Sequence, residues 1–325
     1  MQKLTRPIEN IPGYRVLESR KGYLTSVQYN MLKADLLGRY YAEAISTIRR
    51  FGYSVAKAHQ NSQAVSRIEG LMPEILAGLK AQMDQLENEE LSGGEVYFYK
   101  EWASFQAALT DQEYRDLVAR EFQKKTKNTL LYVYAMERVS SQEDPVLFLA
   151  ETVGAMDASS YRSELKAMQT RLSPNQPIRF AEFTSLDGAH FDTEDLKGKP
   201  TLLYFYFSTC THSANFFQQV LKPIEQAGMD DLQLVAISVD NDPELWKSQL
   251  TTYSDPKLTN WLLPRNDWRG WLDHYLITGY PRTMLLDAEG NILSIWVKGR
   301  TESSFRSNLD SLLNPKDSIP DNVKP

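Results

Sequence analysis

A chain of 325 residues has room for two domains, and 42% hydrophobic with 24% charged residues is the balance of a globular protein with buried cores. The net charge of −6 argues against a nucleic-acid-binding surface, and the local cluster Lys124, Lys125, Lys127 is expected to be a solvated helix face. No apolar stretch approaches the ~20 residues that cross a bilayer, and a single cysteine, Cys210, excludes an intramolecular disulfide.

The N-terminus, MQKLTRPIENIPGY, has no apolar h-region, which fits either a cytosolic protein or a mature chain. From Ser26 to Phe51 the residues Leu32, Leu36, Tyr40, Ala44 and Ile48 recur every fourth position, with Leu37, Tyr41 and Ile45 alongside. Such a broad stripe predicts a helix buried in a bundle. A second helical run starts near Ser62, and Pro73 is expected to kink or divide it. Ser92-Gly93-Gly94 reads as a break before a helix over Val96 to Leu109. Thr110-Asp111-Gln112-Glu113 has the form of a capping box ahead of Tyr114, Leu117, Val118 and Phe122. Further helices are expected over Asn128–Val139, from Pro145 and over Ser159–Leu172. The stretch Ser173 to Pro177 reads as a linker, so residues 1–175 are expected to form an all-α domain.

Residues 176–325 alternate strands and helices. Ile178–Phe183 and the turn Asp187-Gly188 suggest a strand or hairpin, and TLLYFYF (Thr201–Phe207) is an apolar run suited to a buried strand. Apolar residues at helical spacing follow Cys210, namely Phe216, Phe217, Val220, Leu221 and Ile224. Leu232–Val239 is another buried strand, and Asp242-Pro243-Glu244 caps a helix. Thr283–Leu286 and Ile292–Val297 flank a turn-forming DAEGN, and an amphipathic helix over Ser303–Leu313 closes an α/β layered domain.

Phe183–Lys199 (FTSLDGAHFDTEDLKGK), then TLLYFYFSTCTHS, then Gly279-Tyr280-Pro281-Arg282-Thr283 with MLLDAEGNIL resemble, in order and spacing, the thioredoxin-like proteins of the TlpA/ResA type. The likeness covers about residues 177–313. It implies a thioredoxin-like α/β domain behind the helical one, thiol–disulfide exchange with protein or small-thiol disulfides as partners, and no cofactor. The helical half is similar in layout to extra N-terminal regions of Bacteroidetes-type envelope proteins, which implies a periplasmic or cell-envelope location. On the matching positions Cys210 takes the place of the nucleophile and Pro281 that of the family's cis-proline. Tyr280, before it, would offer backbone groups to an extended substrate, and Thr209 and Thr211 would flank that substrate at the thiol. Three departures stand out. Thr209 replaces a tryptophan, Thr211-His212 replaces Gly-Pro, and Ser213 replaces the resolving cysteine.

A thiol at the start of a helix sits where unpaired N–H groups and the helix dipole favour the thiolate, and His212 is expected to assist. Ser213 cannot release a mixed disulfide as a second thiol would, so an external thiol has to do so. A metal site on Cys210 and His212 would need ligands from elsewhere. His190, His274 and His59 read as structural or surface residues.

Three functional readings follow. The first is a monothiol oxidoreductase with Cys210, His212 and Ser213 at its centre. The second is a redox-inactive binding or assembly module on the same scaffold. The third, a one-cysteine peroxidase, calls for a Ser or Thr three residues before the thiol, where Phe207 stands, although Arg282 could supply a positive charge. Trp261, Trp268, Trp271 and Tyr275 are expected either to pack against the sheet or to line a peptide groove.

Overall fold

The computed structural model describes residues 2–86, 90–228 and 231–314. The chain forms two compact units: residues up to Arg138 with Phe148–Lys166, and Val139–Leu147 with the chain from Ala167 on. A division at 175/176, drawn from the linker's composition, stands as a proposal about where the chain could be cut.

The first unit is helical. Its helix Ser26–Thr47 opens with a capping box in which Thr25 and Gln28 exchange side-chain and backbone hydrogen bonds, and it runs into a π-helical turn over Ile48–Tyr53. The buried face centres on Ala34, Leu37, Tyr41 and Ile45, while Leu32, at the start of the expected stripe, is exposed. Against this helix lies Gly93–Thr110. A Cβ on Gly38 would lie 2.3 Å from the Gly94 carbonyl oxygen, and one on Gly94 would lie 2.1 Å from that of Asp35. The crossing therefore depends on two glycines, and the Gly94 N–H uses the close approach to donate to Asp35 Oδ1 at 2.7 Å.

Several local expectations are corrected here. Gly93 and Gly94 do not break the helix but begin it, with Ser92 as cap and Glu95 completing a capping box. The capping box expected at Thr110 does not form. Asp111 takes a left-handed conformation (φ 52°) and ends the preceding helix, so the next one, Tyr114–Glu121, starts at Glu113 with no side-chain cap. Pro73 lies inside one helix, Ser62–Asp84. The cost of an interior proline, about 3 kcal/mol, is offset by burial of Met72, Leu76, Leu79 and Met83 from that helix. By contrast, Lys124 and Lys125 are exposed as a solvated helix face requires, and Lys125 and Lys127 pair at 2.8 Å with Glu90 and Asp157.

The second unit is built on a seven-stranded sheet in the order β2-β1-β5-β4-β3-β6-β7. The strands are β1 Glu182–Ser185, β2 His190–Asp192, β3 Thr201–Tyr206, β4 Gln233–Ser238, β5 Thr259–Leu262, β6 Arg282–Leu286 and β7 Ile292–Ser294. β3, β4 and β5 run parallel, joined by helical crossovers over Thr211–Gln226 and Pro243–Tyr253, and the β1–β2 and β6–β7 pairs flank them antiparallel. Every residue of β3 is buried, as the continuous apolar run demands for a central strand covered on both faces. Leu202, Tyr204 and Tyr206 belong to the core with Phe217, Val220, Trp246 and Leu250. Phe205 belongs to the opposite face and meets Trp271 at 5.5 Å between ring centres.

Candidate functional site

Strand register places the site. β3 pairs antiparallel with β6 so that Phe205 faces Arg282, which brings Pro281 and Tyr280 level with the residues just past β3. β3 pairs parallel with β4 so that Tyr206 faces Ser238, which brings Asp240 level with Ser208. The turn after β3 is closed by the Cys210 N–H donating to the Phe207 carbonyl at 3.0 Å. That turn therefore sits between the Tyr280–Pro281 loop and Asp240, at the carboxyl ends of the parallel strands where open α/β sheets have their crevice.

Cys210 is the N-cap of the helix beginning at Thr211, in extended conformation (φ −90°, ψ 106°), and no side chain caps that helix. The Ala214 N–H donates to the Cys210 carbonyl at 3.2 Å. The cysteine is a free thiol of intermediate exposure. Its Sγ lies 3.6 Å from the Tyr280 carbonyl oxygen, a distance at which the S–H donates to it. The Tyr280–Pro281 peptide bond is cis.

Tyrosines surround this turn. The Tyr204 hydroxyl donates to the Ser213 carbonyl at 2.9 Å and pins the first turn of the helix to the sheet. Burial first, then Tyr206 and Cys210, push the Tyr204 phenol far up. Burial, followed by Cys210 and Asp240, raises Tyr253. Burial, followed by Asp273 and Asp240, pushes Tyr280 up to about 12. All three phenols therefore stay protonated at neutral pH, as donors without charge. Behind them the Trp246 indole N–H donates to the Tyr206 hydroxyl at 2.7 Å.

The structure separates the other candidates. Thr209, Thr211 and His212 are exposed, and His212 makes no hydrogen bond or ion pair among the described residues. Ser213 is fully buried, and its Oγ has no hydrogen-bond partner among the described residues. Arg282 is buried. Its guanidinium lies 4.1 Å over the Trp296 ring and donates to the Leu276 and Ser140 carbonyls at 3.2 and 3.4 Å, with burial pushing it below its ordinary range. Its hydrogen bonds are thus directed to carbonyls and not to the thiol. No group of three or more His, Cys, Asp or Glu able to hold a metal occurs among the described residues.

Of the aromatic cluster before Pro281, Trp261, Trp271 and Tyr275 pack into the core. Trp261 lies in β5, stacked on Phe183 at 5.0 Å and on Phe191 at 5.3 Å. Trp271 and Tyr275 are buried and grip Arg179 from both sides of its backbone. The Trp271 indole donates to the Arg179 carbonyl at 2.9 Å, and the Arg179 N–H donates to the Tyr275 hydroxyl at 2.6 Å. The side chain of Trp268 lies outside the described part.

Sequence reasoning missed Ser208, Asp240 and Tyr253. Asp240 is 4% exposed, and its carboxylate accepts from the Ser208 N–H at 3.1 Å, from the Ser208 hydroxyl and from the Ser238 hydroxyl at 2.6 Å. Its one local signal is an acid directly ending the apolar run LQLVAISV.

Comparison with known proteins agrees with this fold. A family model described as thioredoxin-like matches residues 198–292. Among solved structures, the chain is similar to the thioredoxin domain of a thiol-disulfide oxidoreductase from Bacteroides vulgatus, with 24% identity over 44% of this chain and 99% of that one, at a TM-score of 0.39. It is similar also to a thiol:disulfide interchange protein from a Bacteroides species, with 22% identity over 47% of this chain and 98% of that one, at 0.39. A copper-bound ScoI from Arabidopsis thaliana shows 18% identity over 43% of this chain and 99% of that one, at 0.35. No curated protein matches the chain. The C-terminal unit is a thioredoxin-like domain, and a largely helical unit precedes it.

Proposed function

We propose that the thioredoxin-like unit exchanges thiols with disulfides through Cys210 as its one nucleophile. The observation that carries this reading is a partly exposed Cys210 at an uncapped helix start, its Sγ 3.6 Å from the Tyr280 carbonyl. The Cys210 thiolate attacks one sulfur of a substrate disulfide, forming a Cys210–substrate disulfide and expelling the other sulfur as a thiolate. A small thiol or a partner protein's thiol, as its thiolate, then attacks the substrate sulfur, forming a new disulfide and returning Cys210 as thiolate. Tyr280 and Pro281 would align an extended substrate chain, with Thr209 and Thr211 at its edge and His212 tuning the thiol from the solvent side. Ser213 would keep the helix packing of the missing cysteine without its chemistry. Partners are then protein or small-thiol disulfides.

Among the described residues no helix is long and apolar enough to cross a membrane. Residence in the cell envelope is part of the proposal and rests on the resemblance alone.

The test is intact-mass measurement after incubation with glutathione disulfide. A single glutathione adduct, removed by added thiol and absent in Cys210→Ser, supports the reading; no adduct on the wild type contradicts it. The buried and unpartnered Ser213 hydroxyl favours a second reading, a scaffold released from redox work and kept for binding. Cys210→Ala separates the two: a binding module keeps its partner and its cellular role, and an exchange protein loses them.

A further inference from the structure

We infer that Asp240 is the positioning residue of the Cys210 turn. The inference rests on the reading of Cys210 as a nucleophile. The Asp240 carboxylate accepts from both the backbone and the hydroxyl of Ser208, two residues before the thiol, and from the hydroxyl of Ser238 on its own strand. The Asp240 N–H donates back to Ser238 Oγ at 3.1 Å, so the acid's own backbone is tied to the serine that holds its side chain. Phe207 O and the Cys210 N–H close the other side of the turn. Between these two anchors the backbone from Ser208 to Cys210 has little freedom, and it carries Sγ to the Tyr280 carbonyl.

Stability alone does not explain a carboxylate here. Removing such a group from water is costly, hydrogen bonds recover that cost only in good geometry, and a well-packed apolar residue often does as well. What the carboxylate adds is direction. Its donors come from two segments, and together they join the end of β4 to the loop after β3. Small displacements of a reacting atom cost up to ~100-fold in rate when the partner must approach along one line. A substrate chain lying along Tyr280–Pro281 imposes such a line, whereas a small alkylating reagent reaches the sulfur from many.

The two kinds of reagent separate positioning from simple scaffolding. The rate of Cys210 alkylation by iodoacetamide and the rate of mixed-disulfide formation with a cystine-bridged peptide are measured for wild type, Asp240→Asn and Ser208→Ala, all checked by thermal melting. Expected are alkylation rates within about twofold of wild type and peptide-exchange rates at least about tenfold lower in Asp240→Asn, with a smaller loss in the same direction in Ser208→Ala. Should Asp240→Asn not fold, the Ser208→Ala ratio decides alone. Both rates falling together, or both unchanged, in the variants that fold overturns the inference while leaving Cys210 a nucleophile. A wild type that alkylates but forms no mixed disulfide at all overturns the exchange reading, and this inference with it.

Discussion

The carbonyl oxygen of Tyr280 lies 3.6 Å from the sulfur of Cys210, although 70 residues separate the two in the chain. The antiparallel pairing of β3 with β6 brings them together. The same pairing presents the backbone of the residue before Pro281 beside a half-exposed thiol at a helix start. A sulfur so placed lies beside the backbone edge along which the proposed substrate chain would run.

Ser213 offers a test of how intact the rest of this geometry is. It is the third residue of a helix whose N-cap is Cys210, and its side chain is buried. Ser213→Cys is therefore expected to form a disulfide between the introduced thiol and Cys210 under mild oxidation, seen as loss of two hydrogens in the intact mass and protection from alkylation. Ser213→Ala is expected to leave the melting temperature unchanged or higher, because it deletes a buried hydroxyl with no partner whose desolvation costs about 1–3 kcal/mol. A sharp drop in melting temperature would show that the hydroxyl is bonded in solution.

In the helical unit, Gly94→Ala is expected to destabilise by about 1–3 kcal/mol or more, since its Cβ would collide with the backbone of Asp35 on the crossing helix. Urea unfolding of the full chain checks this. A midpoint unchanged for the transition of that unit would mean the two helices do not cross as closely as described.

Acid should weaken the thioredoxin-like unit through His274. Burial, followed by Arg171 and Arg179, holds this imidazole below its ordinary value of 6.5. The unfolded chain then binds the proton first, so stability is full above about 6.5 and is lost as pH falls toward the folded-state value. The partial exposure of the group keeps the effect modest. Melting curves from neutral pH down to about 5 are expected to fall more steeply for the wild type than for His274→Gln, the two running parallel above neutrality. Identical slopes would remove His274 from the account.

Much of this was open to inspection in the residues themselves. TLLYFYF, LQLVAISV and the DAEGN turn announce strands and a hairpin, because apolar β-forming runs bounded by turn residues admit few other structures. β5 was not visible: Thr259–Leu262 has four residues and merges into the aromatic stretch that follows. Thr110 looked like a helix cap, but Asp111 takes the left-handed conformation that an aspartate tolerates and ends the preceding helix there. Asp240 is the most instructive omission. Its partners are Ser208 and Ser238, and only the β3–β4 register reveals that Ser208 stands beside it. Cys210 was found because a thiol after a buried strand and before a helix is a local pattern, whereas the groups that hold it come from distant strands.

The central claim concerns the reactivity of one sulfur. It is tested most directly by the second-order rate of Cys210 with glutathione disulfide at neutral pH, set against an unstructured peptide carrying the same CTHS segment. The folded protein is expected to react at least about tenfold faster, because the fold holds the partly exposed sulfur in one orientation at a helix start beside Tyr280 and the peptide does not. A folded protein that reacts no faster than the peptide would contradict it.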